Sequence, residues 1–168
     1  MNVDNKQGLN AIIGFNNDFY HFDTMSGCGI LIADDLFGSY FLSKDIKPET
    51  LGLYLKKTLR QSRVINPDEH SFFDYKKIKE SYDEWVKNII GTRGYKNKKA
   101  LFKNMKHCGV RQVNDLITIR PSNHVKLEAW SGECISETDW VIIPASASDE
   151  ELGHAIIEGF SRCRGRQF

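Results

Sequence analysis

The spacing of apolar residues changes along this chain, and that succession constrains the fold more than any other feature. Up to residue 43, aromatic and β-branched residues stand in short runs broken by turn residues, which favours strands. From Pro48 to Ile89 they recur every three or four residues, as on one face of a helix. Short runs return from Ala100, and helical spacing returns after Ser148. This order predicts an α+β fold, a mainly antiparallel β-sheet with about three helices packed on one face.

Eight strands and three helices are expected within this order. The first four strands are simplest as an antiparallel meander of three or four strands, because tight turns join antiparallel neighbours. The helices begin near Pro48, Tyr75 and Ser148, and Gly91 is expected to end the second one. That second helix carries an apolar stripe of Tyr75, Ile78, Tyr82, Trp85 and Ile89. The expected strands are 11–15, 19–22, 28–32, 37–42, 100–105, 116–120, 124–130 and 140–143, with 116–120 and 124–130 forming a hairpin.

The start of the last helix has the clearest local signal. Ser148 and Glu151 have the S-x-x-E spacing of a capping box, in which each side chain binds a backbone amide that the helix start leaves unpaired. Asp149 and Glu150 add negative charge at the positive end of the helix dipole. Gly159 narrows the apolar stripe of this helix, which predicts a close approach to the sheet.

Length and charge exclude several classes of protein. The 168 residues fit one domain, residues 1–168, and the formal net charge of +1 is far below that of a protein that binds DNA through bulk electrostatics. There is no apolar segment long enough for a membrane helix and no apolar core of a secretory signal. A soluble, cytoplasmic protein is therefore expected.

Cysteine and histidine positions suggest no catalytic or metal site. The four cysteines form no C-x-x-C pair and are expected to be free thiols, and the five histidines occur singly. The sequence neighbours His107 and Cys108 are the strongest candidates for a catalytic pair, but adjacent residues of a strand point to opposite faces. We therefore expect no catalytic residue, no metal and no cofactor.

A basic run and an acidic run of residues cancel in the net charge of the chain. Residues 87–111 contain eight basic residues and no acid, whereas residues 128–158 contain eight acids and neither lysine nor arginine. Such runs are often solvated faces that pair with each other. The basic run, with Tyr95 and Phe102, could also contact nucleic acid, and the acidic run could occupy a cationic cleft of another protein. The residues alone leave these alternatives open.

The segment WVIIPASASDEELG at residues 140–153, followed by Ser161 and Arg162, resembles the closing motif of contact-dependent growth inhibition (CDI) immunity proteins. The resemblance implies a small, non-enzymatic cytoplasmic protein that neutralises the C-terminal toxin domain of a large surface-delivered effector. It assigns a scaffold role, with no part in binding, to Pro144, Ser148, Asp149, Glu151 and Gly153.

Many toxins of such systems are nucleases with a basic cleft, so the resemblance implies inhibition by acidic groups that block the active site or substrate groove. The residues expected to bind the toxin are Asp34, Asp35, Glu128, Glu133, Glu137 and Asp139. An acidic toxin would instead meet Arg93, Lys96, Lys98 and Lys99. The implied partner is the cognate toxin domain, with no membrane and no direct nucleic-acid contact. The alternatives are an RNA- or single-strand-binding protein that uses residues 87–111, and a small enzyme.

Overall fold

The structure, a computed structural model, describes residues 6–166 and 168. Its helices are α1 (Pro48–Gln61), α2 (Tyr75–Arg93), α3 (Lys98–Phe102) and α4 (Asp149–Ser161), with one 3₁₀ turn at Glu137–Asp139. Its strands are β1 (Leu9–Phe15), β2 (Phe19–Cys28), β3 (Ile30–Ala33), β4 (Ser39–Ser43), β5 (Lys106–Val113), β6 (Leu116–Pro121), β7 (Asn123–Lys126), β8 (Ala129–Ser131), β9 (Val141–Pro144) and β10 (Arg164–Gly165). Within these described ranges, no helix has the length and apolarity needed to cross a membrane.

Seven of the strands form one antiparallel sheet in the order β3-β2-β1-β5-β6-β9, which confirms the α+β prediction. Strand β4 also belongs to this sheet, because it pairs with the first half of the long strand β2 while β3 pairs with the second half. The predicted meander is therefore confirmed for β1, β2 and β3. A smaller sheet has the order β10-β7-β8, with β10 parallel to β7.

Two predictions about the middle of the chain are wrong. Residues 100–105, expected as a strand, begin within helix α3, whose first turn is capped by the Asn97 side chain accepting the Ala100 amide at 2.9 Å. The expected hairpin of 116–120 with 124–130 does not form, because β6 pairs with β5 and β9 while β7 belongs to the smaller sheet. Strand β5 was not predicted. Its glycine and charged residues between Cys108, Val110 and Val113 weaken the apolar signal.

Helices α1 and α4 cover one face of the large sheet. Alternate residues of the central strands, including Ile13, Phe22 and Val110, are buried there against Leu55 and Ile156. The α4 capping box is present, with the Ser148 hydroxyl accepting the Glu151 amide at 3.1 Å and the Glu151 carboxylate accepting the Ser148 amide at 2.9 Å. This layer forms the main apolar core.

Two glycines let α1 and α4 cross in backbone contact. A Cβ atom on Gly153 would overlap the carbonyl oxygen of Pro48, and one on Gly52 would overlap the carbonyl oxygen of Asp149. The Asp149 side chain also forms a 2.7 Å ion pair with Lys56. Gly159 has the predicted role, since a Cβ there would lie 2.7 Å from the Ile119 side chain.

Helices α2 and α3 lie over the opposite face, so the helices do not all pack on one side as expected. A second apolar cluster forms here around Phe19, Val86, Ile89 and Phe102. Helix α2 continues past Gly91 to Arg93, and the residue that follows, Gly94, adopts the left-handed conformation at φ 72°.

Two histidines, one on each side of a glycine, form a row across three neighbouring strands on this second face. Gly14 on β1 is paired in register with His21 on β2 and with His107 on β5. The two imidazole rings meet edge to face with centroids 5.2 Å apart. A side chain at Gly14 would overlap the His21 ring, so glycine makes room for the row.

The helix crossing predicts that Gly153→Ala destabilises the fold. The added methyl group has no space against the Pro48 carbonyl, and overpacking of this kind costs about 1–3 kcal/mol. The matched control is Gly91→Ala within α2, where a Cβ meets no atom within 4 Å and should stabilise by about 0.5–1 kcal/mol. Urea unfolding measures both. Equal midpoints for the two variants would contradict the close crossing.

The histidine row predicts a loss of stability in acid. Burial, and then the charges of His21 and His124, lower the pKa of His107 well below its usual value. The unfolded chain therefore binds more protons than the folded one as pH falls below about 6.5, and the free energy of unfolding decreases. The loss reaches up to about 2 kcal/mol at pH 5 if the folded ring stays neutral.

Urea unfolding at pH 7.5 and pH 5 measures this loss, with His107→Gln as the comparison. The variant has no imidazole at this position, so its stability should fall less between the two pH values. An equal fall in both proteins would remove His107 as the cause.

Candidate partner-binding site

A cavity of about 830 Å³ lies between the second face of the large sheet, helix α2 and the loop that joins β3 to β4. Its volume falls within the range of cavities that bind small ligands. The segment between α1 and α2 forms a further wall through Glu69, Ser71 and Phe72.

A chain of hydrogen bonds fixes part of the cavity lining. The Nδ1 atom of His21 lies 2.6 Å from the Asp23 carboxylate, which also accepts a short hydrogen bond from Ser39. Trp85 on α2 donates from Nε1 to the Ser39 hydroxyl at 2.8 Å. His21 and Asp23 are two residues apart on β2 and so share a face, while Ser39 is the β4 partner of Asp23 in register. The network thereby ties α2 to the sheet.

Aromatic stacking positions the second histidine of the row. The His107 ring stacks on Trp130 of β8 with centroids 3.8 Å apart, and His124 stacks on Trp130 at 4.6 Å. Among the described residues, the buried Nε2 atoms of His21 and His107 have no hydrogen-bond partner. This part of the lining therefore combines flat aromatic surface with polar ring atoms.

The apolar stripe predicted on α2 faces this cavity over much of its length. Ile78, Tyr82 and Trp85 line it, whereas the buried residues of the helix are Val86 and Ile89 nearer its C-terminal end. Tyr75, the first member of the predicted stripe, is 78% exposed. The N-terminal half of α2 therefore lies over the cavity and does not pack on an apolar core.

Carboxylates dominate the charge of the lining. The permanent cations among the lining residues are Arg63 and Lys77. The acids are Asp23, Asp34, Asp35, Glu69, Glu80, Glu84 and Glu128. This excess creates a negative potential that favours a positively charged group in the cavity.

Two of the acids predicted from sequence, Asp35 and Glu128, lie at this cavity and are exposed. Asp35 accepts a 2.7 Å hydrogen bond from Ser81 on α2. Glu128 accepts one from Tyr82 at 3.1 Å and lies 3.3 Å from the Lys98 ammonium group. Both carboxylates therefore hold α2 in place as well as contributing charge.

Asp34 also lines the cavity, but its carboxylate is buried and paired. Arg63 donates to it through Nε at 2.7 Å and Nη2 at 3.1 Å. Burial would raise the pKa of Asp34, yet the hydrogen bonds from Arg63, Ser26 and the Leu36 amide outweigh burial, so the pKa is lowered. This ion pair joins the β3–β4 loop to the residues that follow α1.

The other three predicted acids lie elsewhere. Glu133 and Glu137 are exposed on the connection between β8 and β9. Asp139 accepts the Ser136 amide at 3.0 Å and immediately precedes the segment that enters β9, the edge strand at the opposite end of the sheet from β3. The structure therefore brings Asp34, Asp35 and Glu128 together and leaves Glu133, Glu137 and Asp139 apart from them.

Four acids of the lining were not predicted from the sequence: Asp23, Glu69, Glu80 and Glu84. The signal available for Glu80 and Glu84 was their position beside the α2 stripe at helical spacing. Asp23 could have been found from its alternation with His21. Neither pattern reveals that α2 lies over the strand carrying His21.

The remaining candidates do not assemble into a second site. His107 lines the cavity while Cys108 is buried in the opposite core, so the two cannot act on one reacting group. In the part of the chain that the structure describes, no three His, Cys, Asp or Glu side chains are grouped to hold a metal ion. Of the basic run, Arg93 stacks over Phe19 at 4.3 Å. Lys96 and Lys99 are exposed.

Comparisons with known proteins place this fold in a family. The sequence model of the CDI immunity protein family, CdiI, matches residues 9–163. The immunity protein CdiI-YPIII of Yersinia pseudotuberculosis serotype O:3 (strain YPIII) is 35% identical over 168 residues, with 92% of this chain and 95% of the relative covered.

Solved structures agree with the sequence comparison. A protein of unknown function from Neisseria meningitidis, NMB0488, is similar with a TM-score of 0.87 and 36% identity, covering 98% of this chain and 100% of that one. A chain of the CdiA-CT/CdiI toxin and immunity complex from Yersinia pseudotuberculosis has a TM-score of 0.86 and 35% identity, covering 93% and 97%. Since the family model spans nearly all of the described fold, this chain belongs to the family of CDI immunity proteins.

Proposed function

We propose that the protein binds the cognate C-terminal toxin domain of a CDI effector and neutralises it, and that the acidic cavity receives a positively charged segment of that toxin. The proposal takes the partner from the solved complex to which this chain is similar. The observation that carries the choice of surface is the excess of carboxylates over cations around the cavity. Binding alone accounts for the inhibition, with no reaction catalysed by this chain.

Charge and aromatic surface support a cationic occupant. Lysine and arginine side chains gain from nearby carboxylates and from the faces of tryptophan and tyrosine rings. Trp85 and Tyr82 line the same cavity as the acids, whereas the Trp130 ring is already stacked with His107 and His124. A cationic side chain that entered it would therefore meet opposite charge and aromatic faces together.

A nuclease is the toxin class that fits this surface best. A protein that acts on RNA or DNA needs basic residues to contact phosphates, and an inhibitor that covers those residues is expected to be acidic where they meet. In this proposal the immunity protein competes with the nucleic acid for the toxin's basic groups. It acts in the cytoplasm of the cell that makes it, where the toxin finds its substrate.

Among the six acids expected from sequence, Asp35 and Glu128 are the proposed contacts. Asp34 is assigned to holding Arg63, because the residue is only 3% exposed and its carboxylate already accepts two guanidinium hydrogen bonds. Glu133, Glu137 and Asp139 remain candidates for a peripheral contact outside the cavity.

Neutralising the cavity acids should weaken toxin binding. The variant Asp35→Asn, Glu80→Gln, Glu84→Gln, Glu128→Gln keeps acceptor oxygens but removes four charges. We expect at least about a tenfold loss of affinity, mainly through slower association, together with a shallower dependence on salt. Surface plasmon resonance with an inactive toxin domain at two salt concentrations measures both.

The matched control removes four exposed charges outside the cavity, none of them a proposed toxin contact: Asp45→Asn, Asp115→Asn, Glu150→Gln, Glu158→Gln. Both variants have the same net charge, so a general electrostatic effect would weaken binding equally. A larger loss in the control would place the toxin contact outside the cavity.

A bulky side chain at the cavity should block entry without changing charge. Ala33 on β3 is exposed and lines the cavity, so Ala33→Trp should fold normally and reduce protection of cells that express the toxin domain. Asn88→Trp is the control, since Asn88 is exposed on α2 and does not line the cavity. Full protection by Ala33→Trp, with unchanged affinity, would show that the toxin does not enter.

A further inference from the structure

Two cysteines that are far apart in sequence are in contact on the face of the large sheet that α1 and α4 cover, opposite the cavity. Cys108 lies on β5 and is fully buried in the core shared with α1 and α4. Cys163 follows the end of α4 and is partly exposed. Their Sγ atoms are 3.6 Å apart, which is van der Waals contact between two reduced thiols.

We infer that Cys108 and Cys163 form an oxidative modification site, at which a peroxide converts the two thiols into an intramolecular disulfide. The bond requires the sulfur atoms to approach to about 2.05 Å. Most of that movement can come from Cys163, which lies beyond the helix, because β5 is fixed by antiparallel ladders to β1 on one side and β6 on the other. The site is independent of the proposed toxin contact.

The two thiols differ in the way that the reaction requires. The hydrogen bond between them and burial raise the pKa of Cys108, whereas the same hydrogen bond lowers the pKa of Cys163. The thiolate is the nucleophile toward peroxides, and Cys163 is also the more exposed of the two residues. Cys163 therefore reacts first and Cys108 resolves the intermediate.

The chemistry balances in two steps. The Cys163 thiolate attacks one oxygen of hydrogen peroxide, so an S–O bond forms, the O–O bond breaks and the leaving hydroxide takes up a proton to become water. The Cys108 thiol then loses its proton and attacks the Cys163 sulfur, so the S–S bond forms and the sulfenic oxygen leaves as water. Two thiols are oxidised, and one peroxide is reduced to two waters.

The cross-link would join the central strand to the C-terminal end of α4 across 55 residues. Closing a loop of this length restricts the unfolded chain, so the oxidised protein should unfold about 5–10 °C higher than the reduced one. Because thiols stay reduced in the cytoplasm under ordinary conditions, the bond is expected only under peroxide load.

Mass spectrometry of the peroxide-treated protein tests the site. The exposed thiols are removed first with Cys28→Ser and Cys134→Ser, which leaves Cys108 and Cys163 as the remaining cysteines of the chain. We expect the monomer to lose the mass of two hydrogens, a peptide containing Cys108 to be linked to one containing Cys163, and dithiothreitol to reverse both changes.

The control adds Cys163→Ser to the same background and should show no such mass loss. Oxidation of Cys163 to sulfinic acid without a cross-link, linkage between two molecules, or two unreacted thiols would each overturn the inference. Cys108 faces the helices while His107 faces the cavity, so the disulfide should leave toxin affinity unchanged.

Toxin affinity is therefore measured on the oxidised protein as a separate readout. A formed disulfide with unchanged affinity supports the oxidation site, and the charge variants of the cavity test the toxin contact independently.

Discussion

The backbone crossing of α1 and α4 at Gly52 and Gly153 is the contact on which the rest of the structure depends. It brings the two helices close enough to cover one face of the large sheet with apolar side chains. With most of the apolar burial concentrated there, alternate positions of the same strands can carry His21, Asp23 and His107 on the other face. One sheet thus separates a stabilising side from a polar side, and the family motif around Gly153 belongs to the stabilising side.

The polar side is held together by a few interactions between distant segments. Three kinds of contact surround the cavity. They are the Asp23–Ser39–Trp85 network, the Asp35–Ser81 and Glu128–Tyr82 hydrogen bonds, and the stacking of His107 on Trp130. Since several of these groups also carry the negative potential, the residues that shape the cavity are partly those proposed to attract the toxin. This dual use explains why a single acidic motif does not mark the site in the sequence.

Immunity to one toxin requires a stable scaffold and a surface that can differ between relatives. The described fold meets both needs, because the helix crossing and main core lie on one face of the sheet. On the other face, the cavity walls include the β3–β4 loop, the segment between α1 and α2, and the N-terminal half of α2. Exposed residues of those walls can change without altering the main core. The proposed specificity is therefore carried by a different face of the sheet from the one that holds the main core.

The sequence by itself determined the α+β class, the three long helices, the α4 capping box and the close approach at Gly159, because each depends on residues within one or two turns or strands. It also carried the family resemblance through residues 140–153. Tertiary structure alone decided that residues 100–105 begin within a helix, that β6 and β7 belong to different sheets, and that only Asp34, Asp35 and Glu128 of the six chosen acids share a cavity. These outcomes depend on which segments pack together across the fold, and neither hydrophobic period nor local charge specifies such long-range pairing.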